Sequence, residues 1–180
     1  GGKARGLAFM NSMLVKYCQY AKYENVRVTI PRTVVVATDY FDAFIRNNGL
    51  EYVLTTEMTD EEILSEFVSS TLPYKLREAL KAYVRTVSGP LAVRSSSKLE
   101  DSHYQPFAGI YSTYMIPYTE GNEDRQLRLL QKAIKSVYAS TYFAASKAYV
   151  QSSQNLIAEE KMAVVIQEVC GTEQDGLFFP

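Results

Sequence analysis

Arg94 and the three hydroxyl residues that follow it, Ser95, Ser96 and Ser97, are the group in this sequence best placed to do chemistry. A short apolar run, Leu91-Ala92-Val93, precedes them. The acidic pair Glu100-Asp101 and the triplet Phe107-Ala108-Gly109 come after. A buried strand that delivers an arginine and small hydroxyls into a polar, glycine-supported loop can hold an anion. The planar guanidinium fork matches phosphate oxygens, and loop N–H groups add donors. The same residues also fit an ordinary strand-to-strand loop in which Arg94 bridges Glu100 or Asp101, and physics alone leaves both readings open.

Two other places bear on that chemistry. Gly1-Gly2-Lys3 precedes an amphipathic pattern, Leu7, Met10, Met13, Leu14 and Tyr17, which puts Lys3 near a helix N-terminus where backbone donors favour an anion. A solvated terminal lysine fits the same residues. Near the other end, Met162–Val169 reads as a buried strand interrupted by Gln167 and Glu168. Its last residues could offer an amide side chain and backbone N–H and C=O groups to a purine edge, or Gln167 could simply face water.

The elements that must position these residues are legible from periodicity and caps. Val26–Ile30 and Thr33–Ala37 read as short β segments around Pro31. Thr38 reads as the cap of a helix carrying Tyr40, Phe41, Phe44 and Ile45, ended by Gly49. Thr59 and Glu62 form a capping-box pattern, and Pro73 opens a helix that is expected to run to Gly89. Asn122 starts the longest helical pattern, expected to continue to about Val150. Gly171–Gly176 reads as a turn, and Leu177–Phe179 as the start of a partner strand.

Composition excludes several function classes. With 180 residues, 47% hydrophobic and 22% charged, the chain is a globular domain or two small lobes. A net charge of −1 supplies no field to recruit nucleic acid or anionic lipid, so an anion site must be local. Cys18 and Cys170 make neither a disulfide framework nor a zinc spacing, and a reducing cytoplasm is the default expectation. No apolar run approaches the roughly 20 residues of a membrane span. No phosphate-loop glycine motif, dinucleotide fingerprint, HExxH or CxxC occurs. Both ends read as cuts, the first on Gly1-Gly2-Lys3 without an initiator methionine and the second at Pro180 after a strand-like segment.

The string Ala92-Val93-Arg94-Ser95-Ser96, the Glu100-Asp101 pair and Phe107-Ala108-Gly109 resemble the nucleotide-binding domain of the phosphoenolpyruvate synthase and pyruvate phosphate dikinase family. Gly1-Gly2-Lys3 with Leu7-Ala8 and Met10 is similar to that domain's opening motif, and Val165-Ile166-Gln167 to its hinge strand. The resemblance implies an α+β fold: the N-terminal portion of an ATP-grasp-like nucleotide-binding domain, with a mixed sheet and flanking helices. It would span residues 1–180, with sub-lobes at 1–110 and 111–180. It also implies an intact enzyme that uses ATP and magnesium to phosphorylate a histidine on a mobile domain and then an acceptor, pyruvate in the best-known members. Lys3 and Arg94 would act on phosphates as the catalytic candidates, Ser95 and Ser96 would shape the loop, Asp101 would orient it, and Gln167 with Val169 would meet adenine. The metal ligands are expected beyond Pro180, so the fragment alone is expected to be inactive. Its partners would be ATP, pyruvate, and the phosphohistidine and pyruvate-binding domains of the same polypeptide, with homo-oligomers compatible and no nucleic acid or membrane.

Some residues depart from the family pattern. Ile110 and Tyr111 follow the glycine where polar residues are common, and Ala144, Ala145 and Ser146 stand where an arginine is common. These departures motivate a second expectation, a non-catalytic nucleotide-sensing or interaction module of the same fold. A dikinase-type enzyme with another acceptor is a third. His103 is the only histidine, and its surroundings do not resemble the family's phosphorylated histidine.

Overall fold

A computed structural model describes residues 2–17, 24–97, 111–152 and 161–180, with backbone alone for 149–152. The helix α1 (Gly2–Lys16) comes first, followed by β1 (Thr33–Val36), α2 (Thr38–Asn48) and a 3-10 turn (Leu50–Leu54). Then come α3 (Asp60–Ser69), α4 (Tyr74–Val84), β2 (Leu91–Ser96), β3 (Thr113–Ile116), α5 (Glu123–Ser140), α6 (Ala144–Ser152), β4 (Ala163–Glu168), and a small hairpin of β5 (Thr172–Gln174) and β6 (Leu177–Phe179).

Four strands form one sheet in the order β1-β4-β2-β3. The α+β class with flanking helices is as expected, but every pairing among the described strands is antiparallel rather than mixed. The physical reason is that β1 and β2 run the same way, as helical crossovers favour, yet β4 inserts between them in the opposite sense.

Strand alternation divides the sheet into two faces. Val36, Leu91, Val93, Ile116, Val164 and Ile166 point to one face and join the apolar sides of α2, α3, α4 and α5 in a single core. Aromatic rings fill its centre, with Phe41 edge-on to Tyr138 at 5.0 Å between centroids and Phe44 at 5.4 Å from the same ring. The opposite face carries Thr33, Val35, Ala92, Arg94, Ser96, Thr113, Met115, Val165 and Gln167, by the register of the ladders. Only α1 crosses this open face among the described helices, and none of its residues is buried. Of the apolar pattern read in its sequence, Leu7 and Leu14 are partly buried, whereas Met10, Met13 and Tyr17 lie exposed.

Local signals explain most helix ends. The Thr59–Glu62 capping box forms with both bonds, and Asn122 Oδ1 accepts from the Arg125 N–H at 3.0 Å. Gly49 closes α2 in the left-handed region at φ 61°. Four expectations are corrected. Thr38 lies inside the first turn of α2, and Ala37 occupies the cap position without a side-chain bond. Val26–Ile30 makes a bridge at Val26 rather than a strand, with Val26 and Val28 exposed. The helix after Pro73 stops at Val84 instead of continuing to Gly89. The long helix breaks after Ser140, because Asp60 Oδ1 accepts from the Ala144 N–H at 2.8 Å and starts α6 anew.

Candidate nucleotide site

The arginine strand is longer than its sequence suggests. Arg94, Ser95 and Ser96 are strand residues of β2, paired with Val165, Val164 and Ala163 of β4, rather than members of a loop. Ser95, Ser96 and Ser97 are 2%, 0% and 0% exposed, because a hydroxyl at a strand end can be buried once it finds a partner. Arg94 rises from the open face and is partly exposed; among the described residues no carboxylate or carbonyl engages its guanidinium. Glu100 and Asp101, the proposed bridge and orienting residues, lie outside the described residues, as do His103, Cys18 and Phe107–Gly109.

Lys3 meets this strand directly. Its Nζ donates to the Ser95 carbonyl at 3.0 Å, and the Ala4 N–H donates to Ser96 Oγ at 3.3 Å. Residues 92 positions apart thereby form one polar corner, in which α1 borrows its N-terminal cap from β2. The first helical turn, a lysine ammonium and the arginine-bearing strand together make a cationic, donor-rich edge.

At the other end of the same face stands Gln167, opposite Ala92 on one side and Thr33 on the other. Its Nε2 donates to Thr33 Oγ1 at 3.1 Å, and the Thr33 hydroxyl donates to the Pro31 carbonyl at 2.7 Å. Arg94 sits diagonally from Gln167, two steps along the ladder. The four steps from Ala92 to Ser96 span about 13 Å of strand, comparable to the reach of a nucleotide from base to terminal phosphate.

Val169 differs from the expectation of a free strand end. Its N–H already donates to the Pro90 carbonyl at 2.9 Å, so its carbonyl is what remains for a ligand. It borders a groove of about 480 Å³ that also includes Pro90, Met115, Tyr118, Glu173 and Phe178. Gln167 does not line this groove, but Met115, which shares the open face with Gln167 across Ala92, does.

Beneath the strand end, on the helical side, Glu168 pairs with Arg32 at 3.5 Å, and Arg32 donates to the Thr86 carbonyl at 2.5 Å. Burial, and next the Glu168 charge, push the Tyr83 hydroxyl up to about 12, with Arg32 opposing.

Thr113 escaped the sequence reading. It is exposed on β3 directly across from Arg94, so its hydroxyl shares the open face beside the guanidinium. The alternation of Thr113, Tyr114, Met115 and Ile116 was the available signal, and it needed the β2–β3 register to become informative. No three His, Cys, Asp or Glu side chains gather as metal ligands among the described residues.

The family described as "Pyruvate phosphate dikinase, AMP/ATP-binding domain" matches residues 1–180, all of the sequence. This chain belongs to that family. Within it, the chain is 31% identical over 157 residues to a protein named uncharacterized phosphotransferase YvkC from Bacillus subtilis (strain 168), covering 83% of this chain and 17% of that protein. It is 29% identical to the phosphoenolpyruvate synthase of Aeropyrum pernix, covering 99% of this chain and 22% of that enzyme. The chain thus spans about a fifth of the length of these relatives. An AMP/ATP-binding domain needs an anion-holding edge and a base-reading edge, and the open face of this sheet offers a candidate for each. Among the described residues no helix is long and apolar enough to cross a membrane.

Proposed function

We propose that this chain is the ATP-binding part of a multidomain phosphotransferase, with the nucleotide lying along the open face of the four-stranded sheet. Lys3 and Arg94 hold phosphate oxygens, Ser95 and Ser96 fix the strand and the first turn of α1 around them, and Asp101 has an orienting role. Gln167 and the Val169 carbonyl take the base, and Thr113 adds a hydroxyl beside Arg94. Phosphoryl transfer asks a protein mainly for positioning and for electrostatic stabilisation of phosphoryl oxygens, and this set of donors supplies both.

The observation that carries the reading is the Lys3–Ser95 contact. It brings the first residues of the chain onto the arginine strand, on the face that also presents Gln167. In the intact protein, ATP would be cleaved to AMP, one phosphoryl group passing through a histidine on a mobile domain to an acceptor such as pyruvate and the other leaving as phosphate, with magnesium held by residues beyond this segment. The isolated segment would have no transfer activity. ATP-grasp-like architecture fits this division, in which the nucleotide is shared between two parts of a domain.

Arg94→Ala in the full-length protein tests the reading through AMP formation from ATP, with and without pyruvate. Loss of one or two charge-assisted hydrogen bonds should lower kcat/KM by about ten- to a hundredfold. Folding should be preserved, because no described partner depends on the guanidinium. Unchanged turnover would refute the assignment.

A further inference from the structure

The three residues Pro31, Arg32 and Thr33 grip the end of β4 from both sides. On the helical side Arg32 pairs with Glu168, and its carbonyl accepts from the Glu168 N–H at 2.9 Å. On the open side Thr33 holds the Gln167 amide. The second grip has a direction. The Thr33 hydroxyl hydrogen is spent on the Pro31 carbonyl, an obligate acceptor, so Thr33 Oγ1 can only accept from Gln167. That forces the amide to turn its NH2 toward Thr33 and to present Oε1, an acceptor, on the remaining side. Rotating the amide would set two oxygen lone-pair groups against each other with no hydrogen between them.

We propose that Thr33 sets the base preference of this site, by a relay from Pro31 through Thr33 that holds Gln167 as a hydrogen-bond acceptor. An acceptor at that position selects a base edge that offers a donor there. With Oε1 facing the purine 6-position, a 6-aminopurine supplies a donor there, whereas a 6-oxopurine presents an acceptor and keeps its donors at N1 and the 2-amino group, so the site favours adenine nucleotides over guanine nucleotides. Thr33 acts through Gln167 and is a positioning residue. The proposal rests on the reading of the open face as the nucleotide site, with Gln167 at the base.

The test is calorimetry on the full-length protein with ATP, GTP and inorganic tripolyphosphate, comparing the native protein, Thr33→Val and Thr33→Ser. Valine keeps the branched shape for the strand and removes the relay; serine keeps the hydroxyl. The native protein and Thr33→Ser should prefer ATP, and Thr33→Val should shrink the ATP-to-GTP affinity ratio by about three- to tenfold, the worth of one neutral hydrogen bond. Tripolyphosphate, which has no base, should bind all three alike. An unchanged ratio in Thr33→Val, with ATP binding that still depends on Arg94, would overturn this inference and leave the nucleotide site standing. Absence of ATP binding in the native protein would overturn both. Equal weakening of tripolyphosphate and ATP in Thr33→Val would also overturn it, because the effect would then be a general loosening of the sheet.

Discussion

Ser96→Ala is a sharp test of how the anion-holding edge is built. Ser96 is fully buried, and its hydroxyl accepts the Ala4 N–H at 3.3 Å, doing for α1 what a side-chain cap does for most helices. Removing it deletes one neutral hydrogen bond and leaves a helix N-terminal donor without its partner, a cost of about 1 kcal/mol. That cost falls almost entirely on α1, because none of its residues is buried and its hold on the sheet includes this bond and the one from Lys3 to Ser95.

The global stability of the domain should therefore change little, since the core lies on the opposite face. Amide hydrogen exchange in α1 should accelerate about fivefold, the factor corresponding to 1 kcal/mol of local opening, while β2 and β4 keep their protection. Lys3 would spend less time at the corner, so nucleotide affinity should fall by no more than about the same factor. Unchanged exchange in α1 would show that the Ser96 hydroxyl does not anchor the helix. A fall in thermal midpoint like that of a core truncation would show that α1 and the core unfold as one unit. Either result refutes the reasoning.

Two further variants probe the base end. Gly171→Ala would place a Cβ 2.1 Å from the Phe179 carbonyl oxygen and 2.7 Å from Phe178 Cε1, so the β5–β6 hairpin cannot close as it stands. Limited proteolysis should cut that hairpin faster while the core keeps its thermal midpoint, and equal resistance would contradict the close approach. Tyr83 has a hydroxyl held well above its ordinary value of 10.0, at about 12, so the folded protein keeps a proton that the unfolded chain gives up. Stability should be fully present below pH 10 and should decline as pH rises from there toward 12. Tyr83→Phe should make that decline shallower in urea midpoints, and should cost little at pH 7 because the buried hydroxyl has no hydrogen-bond partner among the described residues. Parallel declines in both proteins would exclude Tyr83 as a contributor.

Much of the fold was legible because its signals were local. The Thr59–Glu62 box, the Asn122 cap and the Gly49 terminator each act within a few residues, and all three form. The apolar run of β4 and the aromatic stripe of α2 also read correctly, since burial periodicity needs no knowledge of partners. What the sequence hid was non-local. The break between α5 and α6 depends on Asp60, 84 positions away, and the strand status of Ser95 and Ser96 depends on a ladder with β4. The same holds for the site. Arg94, Lys3 and Gln167 stood out by residue type, whereas Thr33 and Thr113 are ordinary strand threonines until register sets them beside Gln167 and Arg94.

Register is also what protects the site. Arg94 and Gln167 occupy the open face because Leu91, Val93, Val164 and Ile166, their alternate neighbours, are buried in the core. A slip of one residue between the faces would carry the guanidinium into a layer of Phe, Leu and Ile side chains and expose Val93 in its place. An unpaired buried charge costs several kcal/mol even after relaxation, and each exposed valine or leucine forfeits about 1.5–3 kcal/mol of burial. The slipped state is thus disfavoured by most of what a domain of this size has to lose. The hydrophobic core therefore does more than hold the sheet together: it fixes which face carries the charge and, through the pleat, how far the arginine stands from the amide that would read the base.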